Sequence, residues 1–450
     1  MNLIRIKAGL TLVVAALALI TGPGVSAGTV VIHNAKVATL TDAGVIEAAT
    51  VVTRDAEIVF VGADAQAPDV PLDAERVDAS GRWVTPGLIV SDTQLGTVEI
   101  GAESSARDSS VEDFAMGPAF ELRYALNPAS VLLGTTRAAG VTAAVVSPLA
   151  GNDPLAGSGL AISLRTTLDP TELILKDRLA MFGGIGPGFA DYVGGSRGGL
   201  VVRLREALGL ARRFNPSRYE ADQRAYSSQD MAALKRWLAS GAPLALEVNQ
   251  ASQILQAIEL ADEFDVQLIV TGGVEAWKVA PQLADASVPV VLDPLDNIPT
   301  DFDRLGARLD NAVLLHKAGV LIAFRSENTH NASWIRQGGG IAVANGLPYE
   351  AALAAITHNP AAIWGLDDRG SLTKGKTADL VIWSGDPLEV TTHAERVMID
   401  GQWMELDNRQ DRLLERYRDL SNDATPFGIV ERPIVRDRGS APTLPGRLRQ

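Results

Sequence analysis

The stretch Thr85-Pro86-Gly87-Leu88-Ile89-Val90-Ser91-Asp92-Thr93-Gln94-Leu95-Gly96 decides how the rest of the chain is read. An apolar run opened by Pro-Gly and closed by polar residues and a glycine predicts a buried strand that delivers side chains to a mouth. Asp92 and Gln94 stand two apart, so on a strand they project from the same face. The chain on either side is expected to serve that pair.

Downstream, apolar strand-like runs alternate with helical periodicity as far as residue 369, which predicts βα units around a parallel sheet. The expected strands are Gly87–Ser91, Val141–Ser147, Leu160–Leu164, Leu173–Lys176, Leu244–Val248, Gln267–Thr271, Val288–Leu292 and Val320–Phe324. Helical patterns cover Ala129–Ala139, Leu200–Phe214, Ser228–Ser240, Ala251–Phe264, Val274–Ala284 and Tyr349–Thr357. Pro128 suits the start of the first of these. Eight strands so arranged suit an α/β fold of the TIM type, a distorted (β/α)8 barrel over residues 86–369, with its chemistry at the C-terminal ends of the strands. The glycine-rich stretches Ser147–Gly159, Gly183–Gly188 and Gly194–Gly199 lack the ending of a phosphate loop and read as loops roofing the mouth.

Upstream, Thr29–His33, Val37–Leu40, Ala49–Thr53 and Glu57–Val61 read as short strands separated by turns at Asn34, Asp42-Ala43-Gly44 and Gly62. Beyond the barrel, residues 406–450 are expected to be a polar helix, Asp407–Leu420, followed by a Pro- and Arg-rich extended tail. Met1–Ala27 has the layout of a secretory signal: basic Arg5 and Lys7, apolar Leu10–Ile20, and the small residues Val25-Ser26-Ala27. The expected location is therefore periplasmic or secreted. Cleavage removes two basic residues and no acidic one, so the 40 basic and 54 acidic residues become 38 and 54 and the net charge falls to about −16. That balance argues against nucleic acid or an anionic membrane as partner. Cys is absent, so neither disulfides nor thiol chemistry contribute.

The opening stretch resembles the first barrel strand of the amidohydrolase superfamily, in its imidazolonepropionase-like branch, where Pro-Gly-Leu-Ile-Asp-x-His-x-His-Leu-Gly supplies two metal-binding histidines. Asp78–Gly87 is similar to the segment in which a small β-sandwich hands over to the barrel. Gly370-Ser371-Leu372-Thr373-Lys374-Gly375-Lys376-Thr377-Ala378-Asp379-Leu380-Val381-Ile382-Trp383, followed by Gly385-Asp386-Pro387-Leu388, resembles the superfamily's C-terminal signature, and Val397–Trp403 supplies a last hairpin strand. The resemblance implies a β-sandwich built from both chain ends, residues 28–85 and 370–405. It also implies hydrolysis of carbon–nitrogen bonds in small amide, cyclic amide or dipeptide-like substrates.

Carried over residue by residue, the implied metal site has lost its imidazoles. The first pair falls on Asp92 and Gln94, the fifth-strand histidine on Glu247, the sixth-strand histidine on Gly272, and the eighth-strand aspartate on Glu327, with Arg325 where the family has glycine. Of the five histidines, His33, His316, His358 and His393 fall outside the implied site. His330, in a His-Asn-Ala segment matching the family, lies near it as a candidate substrate contact or helix cap. Lys176 reads as a strand-end lysine. Two readings stay open. Asp92, Gln94, Glu247 and Glu327 form an oxygen-ligand site that prefers Mg²⁺, Mn²⁺ or Ca²⁺ over Zn²⁺, with Glu327 and His330 as catalytic groups. Alternatively no metal is bound, and the carboxylates raise one another's pKa or are neutralised by Arg325. Function divides the same way: a hydrolase with an altered, carboxylate-rich site, or a catalytically degenerate member that binds a small molecule or partners an active paralogue.

Overall fold

Runs rich in valine, isoleucine and threonine pack well on a pleated surface and form the strands. A computed structural model describes residues 28–112, 116–219, 226–295, 298–326 and 328–418. The expected secretory signal, Glu327 and the tail beyond residue 418 lie outside the described residues. The N-terminal segment supplies β1 (Thr29–Ala38), β2 (Val45–Arg54), β3 (Glu57–Ala63), β4 (Glu75–Asp78) and β5 (Trp83–Pro86). Then follow β6 (Leu88–Thr93), β7 (Val141–Val146), β8 (Leu155–Ser158), β9 (Leu160–Ser163), β10 (Ile174–Lys176) and β11 (Met181–Ile185). The series continues with β12 (Leu244–Val248), β13 (Leu268–Gly272), β14 (Val290–Leu292) and β15 (Ile322–Phe324), and ends with β16 (Leu380–Trp383), β17 (Ala394–Ile399) and β18 (Gln402–Trp403).

Both chain ends meet in one sheet of order β18-β17-β16-β5-β1-β2-β3, with β4 also on β1. Two expected strands, Thr29–His33 and Val37–Leu40, are one. Asn34 does not turn the chain: at φ 54° it bulges β1, whose register shifts there. One edge of β1 then pairs with β4 before the bulge and with β5 after it. Asp400 and Gly401, at φ 49° and 75°, form the two-residue turn that reverses β17 into β18.

The middle of the chain forms two further sheets, of order β10-β9-β7-β6 and β15-β14-β13-β12-β11-β8. β6 and β7 run parallel, as do β11 to β15. One seam between the sheets is a parallel bridge of Ser91 with Arg325. At the other seam, β8 pairs antiparallel with β11 and β9 antiparallel with β7, the two separated by Gly159 alone. A Cβ at Gly159 would stand 2.3 Å from the Phe182 ring, so no other residue fits that bend without displacing it.

This arrangement corrects the expected third and fourth strands. Leu160–Leu164 is antiparallel, and Leu173–Lys176 is reduced to a short antiparallel edge on β9. The parallel strand in that region is Met181–Ile185, which the Gly183-Gly184 pair disguised as loop. Both glycines are required by crowding: a Cβ would approach Pro154 O to 2.4 Å and the Phe189 ring to 2.2 Å. Leu155–Ser158, also read as loop, is strand.

Helices such as Arg197–Arg212, Ser228–Ser240 and Ala251–Phe264 bury one apolar face each. The helix expected over Ala129–Ala139 is Val131–Ala138, with Ser130 rather than Pro128 at its start, the Oγ accepting from Leu132 N. Val274–Ala284 is a 3₁₀ turn, Ala276–Val279, followed by Ala280–Asp285. A separate inner layer gathers Ile89, Val145, Ala161, Phe182, Ala245, Ile269, Val291 and Ala323, among others, with Trp364. Phe182 stacks on Trp364 at 5.7 Å, and Trp364 Nε1 donates to Ser91 Oγ at 3.0 Å. The chain is thus a mixed α/β structure whose parallel strands end on a common side.

Where the two-ended sheet joins the rest, Arg369 Nη1 meets Asp379 Oδ2 at 2.7 Å, with both side chains at most 4% exposed. Asp368 and Asp400 flank the guanidinium, and Arg165 reaches Asp400 at 2.5 Å. Burial pushes the Asp379 carboxyl up to about 6 even though Arg369 pulls it down. Removing one partner of a buried pair leaves an uncompensated charge, so Arg369→Met should cost about 3–5 kcal/mol in urea unfolding at neutral pH. An acid whose pKa is raised on folding loses its contribution as pH rises through the folded value. The deficit of Arg369→Met should therefore shrink between pH 7 and pH 5.

Candidate functional site

Strand β6 does not continue straight into its polar end. Its register against β7 shifts between Val90 and Thr93, and Asp92 within that shift adopts φ 54°, a conformation aspartate tolerates better than most residues. The bulge re-aims Asp92 and Gln94 lies just past the strand, so the two meet on Ser147 and not by regular strand alternation. Ser147 Oγ, just past β7, donates to Asp92 Oδ1 at 2.6 Å and accepts from Gln94 Nε2 at 3.3 Å. Thr329 Oγ1 donates to Gln94 Oε1 at 2.9 Å and accepts from Gln94 N at 3.3 Å. The loop after β15 is thereby tied to the loop after β6.

Arg325 follows β15 directly and dominates the site. Its side chain is 8% exposed, and Nη1 donates to Asp92 Oδ2. Its other terminal nitrogen, Nη2, lies 3.8 Å from Glu247 Oε1 on β12, so one guanidinium joins two of the expected ligand carboxylates. Gly272 lies beside this pair and is required by its own φ and by Asn249. At φ 83°, a Cβ there would come 2.6 Å from Asn249 Oδ1 and 3.6 Å from Arg325 Nη2. Asp92, Gln94, Glu247 and Arg325 are therefore brought together at the ends of β6, β12 and β15. Glu327 lies outside the described residues. His330 is exposed at the rim, its Nε2 3.0 Å from Glu99 O, while Asn328 Oδ1 accepts the His330 N–H and caps the turn. Lys176 Nζ caps carbonyls of Trp364 and Gly365, both at 3.3 Å, remote in role from this cluster.

Glu247 also faces a cavity of about 550 Å³ at the C-terminal ends of β11 and β12, lined by Gly186, Phe189, Arg197, Asn249, Phe302 and Asp303 among others. Glycine-rich Gly186–Gly188 roofs it, as expected of that loop. Asp303 was missed from sequence. Its only signal is an acid-rich turn, Asp301-Phe302-Asp303-Arg304, in which Asp301 Oδ1 accepts the Asp303 N–H at 2.8 Å. Burial raises the Asp303 carboxyl above its usual range, against the pull of Arg197, whose Nη2 is 3.8 Å away, and of a hydrogen bond from Asn249. A buried carboxyl with a raised pKa on a cavity is a candidate acid–base group. A second cavity, of about 520 Å³, opens at the opposite ends of β12 to β15 and has no ionisable side chain in its lining.

A divalent cation does not fit the described residues. Both Asp92 oxygens and both ends of the Gln94 amide are already engaged, and Glu247 turns towards Arg325. Like charges 4 Å apart at an effective dielectric constant near 20 repel by about 4 kcal/mol, and a divalent ion beside the guanidinium doubles that. Among the described residues, no group of three His, Cys, Asp or Glu is disposed to hold a metal.

The model of the amidohydrolase family, Amidohydro_3, matches residues 318–404. The amidohydrolase tasK of Hapsidospora irregularis is 23% identical over 406 residues, which make up 82% of this chain and 41% of that protein. The imidazolonepropionase of Mesorhizobium japonicum is 43% identical over 68 residues, 14% of this chain and 17% of that one. The chain thus spans less than half the length of either curated relative. A solved amidohydrolase of Thermotoga maritima is similar over 84% of this chain and 99% of its own, with a TM-score of 0.76 and 26% identity. A prolidase solved with N-methylphosphonate-L-proline shares the fold alone, with a TM-score of 0.54 and 18% identity over 84% of this chain and 99% of its own. Together with the first-strand frame and the C-terminal signature, these likenesses support an imidazolonepropionase-like member of the amidohydrolase superfamily.

Proposed function

We propose that this is an exported protein with a distorted TIM (β/α)8 barrel over residues 86–369 and a small β-sandwich from residues 28–85 and 370–405. In this reading it acts on a carbon–nitrogen bond of a small amide, cyclic amide or dipeptide-like molecule in the cavity beside Glu247. The barrel is supported by the parallel strands, the Ser91–Arg325 bridge and the inner layer on Trp364. Membership of a hydrolase superfamily supports the substrate class. Export rests on the composition of Met1–Ala27, and no described helix is long and apolar enough to cross a membrane.

The observation that carries the reading is Glu247 and Asp303 on one cavity, in unlike surroundings. Two carboxylates whose environments differ can divide acid and base work around a water without a metal. Glu247, 37% exposed, takes the proton of the attacking water, and Asp303, protonated to a higher pH than usual, gives one to the departing nitrogen. A second reading is favoured by the saturation of Asp92 and Gln94. The pocket then only binds its small molecule, and the chain serves beside an active paralogue.

A panel of acyl-amino acids, cyclic amides and dipeptides should show turnover unaffected by chelators and reduced about 10²–10⁴-fold in Glu247→Gln. Because the acid form of Asp303 is the working one, kcat/KM should fall as pH rises through its raised pKa, and Asp303→Asn should remove that limb. Thermal stabilisation by the same compounds without turnover would favour the binding reading, and neither effect would sink both. N-terminal sequencing of the secreted product should begin at Gly28; an intact Met1 on cell-associated protein would overturn export.

A further inference from the structure

We infer that Arg325 is the resident cation of this site: it holds Asp92 and Glu247 together in place of a divalent metal, and it excludes one for as long as it is present. The inference stands apart from whether the cavity turns anything over.

Three observations carry it. Arg325 is almost fully buried and lies against both carboxylates, one through Nη1 and the other through Nη2. A guanidinium stays charged at all working pH values and presents its donors in a fixed fork, so it contacts two acids at once without titrating. The surroundings are built to the side chain. Ser91 pairs with the Arg325 backbone across the sheet seam. Asp92 is held in its bulged conformation by Ser147 from the other side. In such a cluster the place of a cation beside both carboxylates is already taken by the guanidinium. A divalent ion has to displace the guanidinium, which is covalently tethered and cannot leave.

It follows that a cation site is latent beneath the arginine. Cutting the side chain back frees Asp92 and Glu247, with the Gln94 amide oxygen nearby, as an oxygen-donor set of the kind that takes hard divalent ions. The test uses the purified mature chain, incubated separately with Mn²⁺, Ca²⁺, Mg²⁺ and Zn²⁺, passed through gel filtration and analysed for metal by mass spectrometry. Thermal melts with and without each ion run alongside. The wild type should retain no stoichiometric metal and show no ion-dependent melting shift. Arg325→Ala should retain about one equivalent of Mn²⁺ or Ca²⁺ and melt higher with it, since a ligand that binds only the folded state stabilises it. Glu247→Gln in the Arg325→Ala background should abolish both effects.

One equivalent retained by the wild type and lost in Glu247→Gln would overturn the inference. So would a folded Arg325→Ala that takes no ion. Arg325→Met, which keeps much of the packing volume, serves as a second variant in the same assays. If neither variant folds alone, Mn²⁺ or Ca²⁺ present during refolding should rescue them, and failure of every ion to do so would count against a latent site.

Discussion

The geometry of the site at the strand ends depends on one buried charge, the guanidinium of Arg325. It stands at the seam where the two central sheets meet, its backbone bridged to Ser91 and its side chain spanning from Asp92 on β6 to Glu247 on β12. Three separate strand ends are thereby set relative to each other by a single residue. Breaking a buried pair costs about 3–5 kcal/mol because the remaining charge keeps no compensation, whereas making one contributes little net. The arginine therefore specifies an arrangement more than it adds stability. Ser147 and Thr329 reinforce it by engaging the remaining polar atoms of Asp92 and Gln94.

That arrangement reconciles two facts that pull against each other. The frame of the chain resembles that of a hydrolase superfamily, from β6 to the C-terminal signature. The residues at the centre are not those of a zinc site, and the described ones leave no room in charge for a harder ion. The cavity beside Glu247 keeps the position in which such folds do their chemistry, at the C-terminal ends of the strands. What has changed is the source of positive charge: it is built into the chain. Asp303 adds a carboxyl of distinct character a short way along the same wall.

Much of this was legible in the sequence, for identifiable reasons. The Pro-Gly opening and polar close of residues 85–96 located the mouth, and alternation of apolar runs located β6, β7 and β12 to β15. Residue-by-residue carry-over placed Asp92, Gln94, Glu247 and Arg325 at strand ends, because strand ends are fixed by hydrophobic length, and the structure is what brings the four together. Other features were hidden by backbone effects that composition does not reveal. Gly183-Gly184 looks like a loop, yet glycine is there because Pro154 and Phe189 press on the strand. Asn34 looks like a turn, and is a bulge that lets one strand hold two successive partners. Asp303 was invisible because its raised pKa comes from burial under a turn of no marked periodicity.

The two-ended sheet has a further consequence for how the chain is made. β5 pairs with β1 on one side and with β16 on the other, and Trp383 Nε1 donates to Thr85 Oγ1 across 298 residues of sequence. During synthesis the N-terminal strands therefore wait, with an unpaired edge, until almost the whole chain has emerged. Order arrives last at the seam between first and final strands, which ties folding of the N-terminal sheet to completion of the polypeptide.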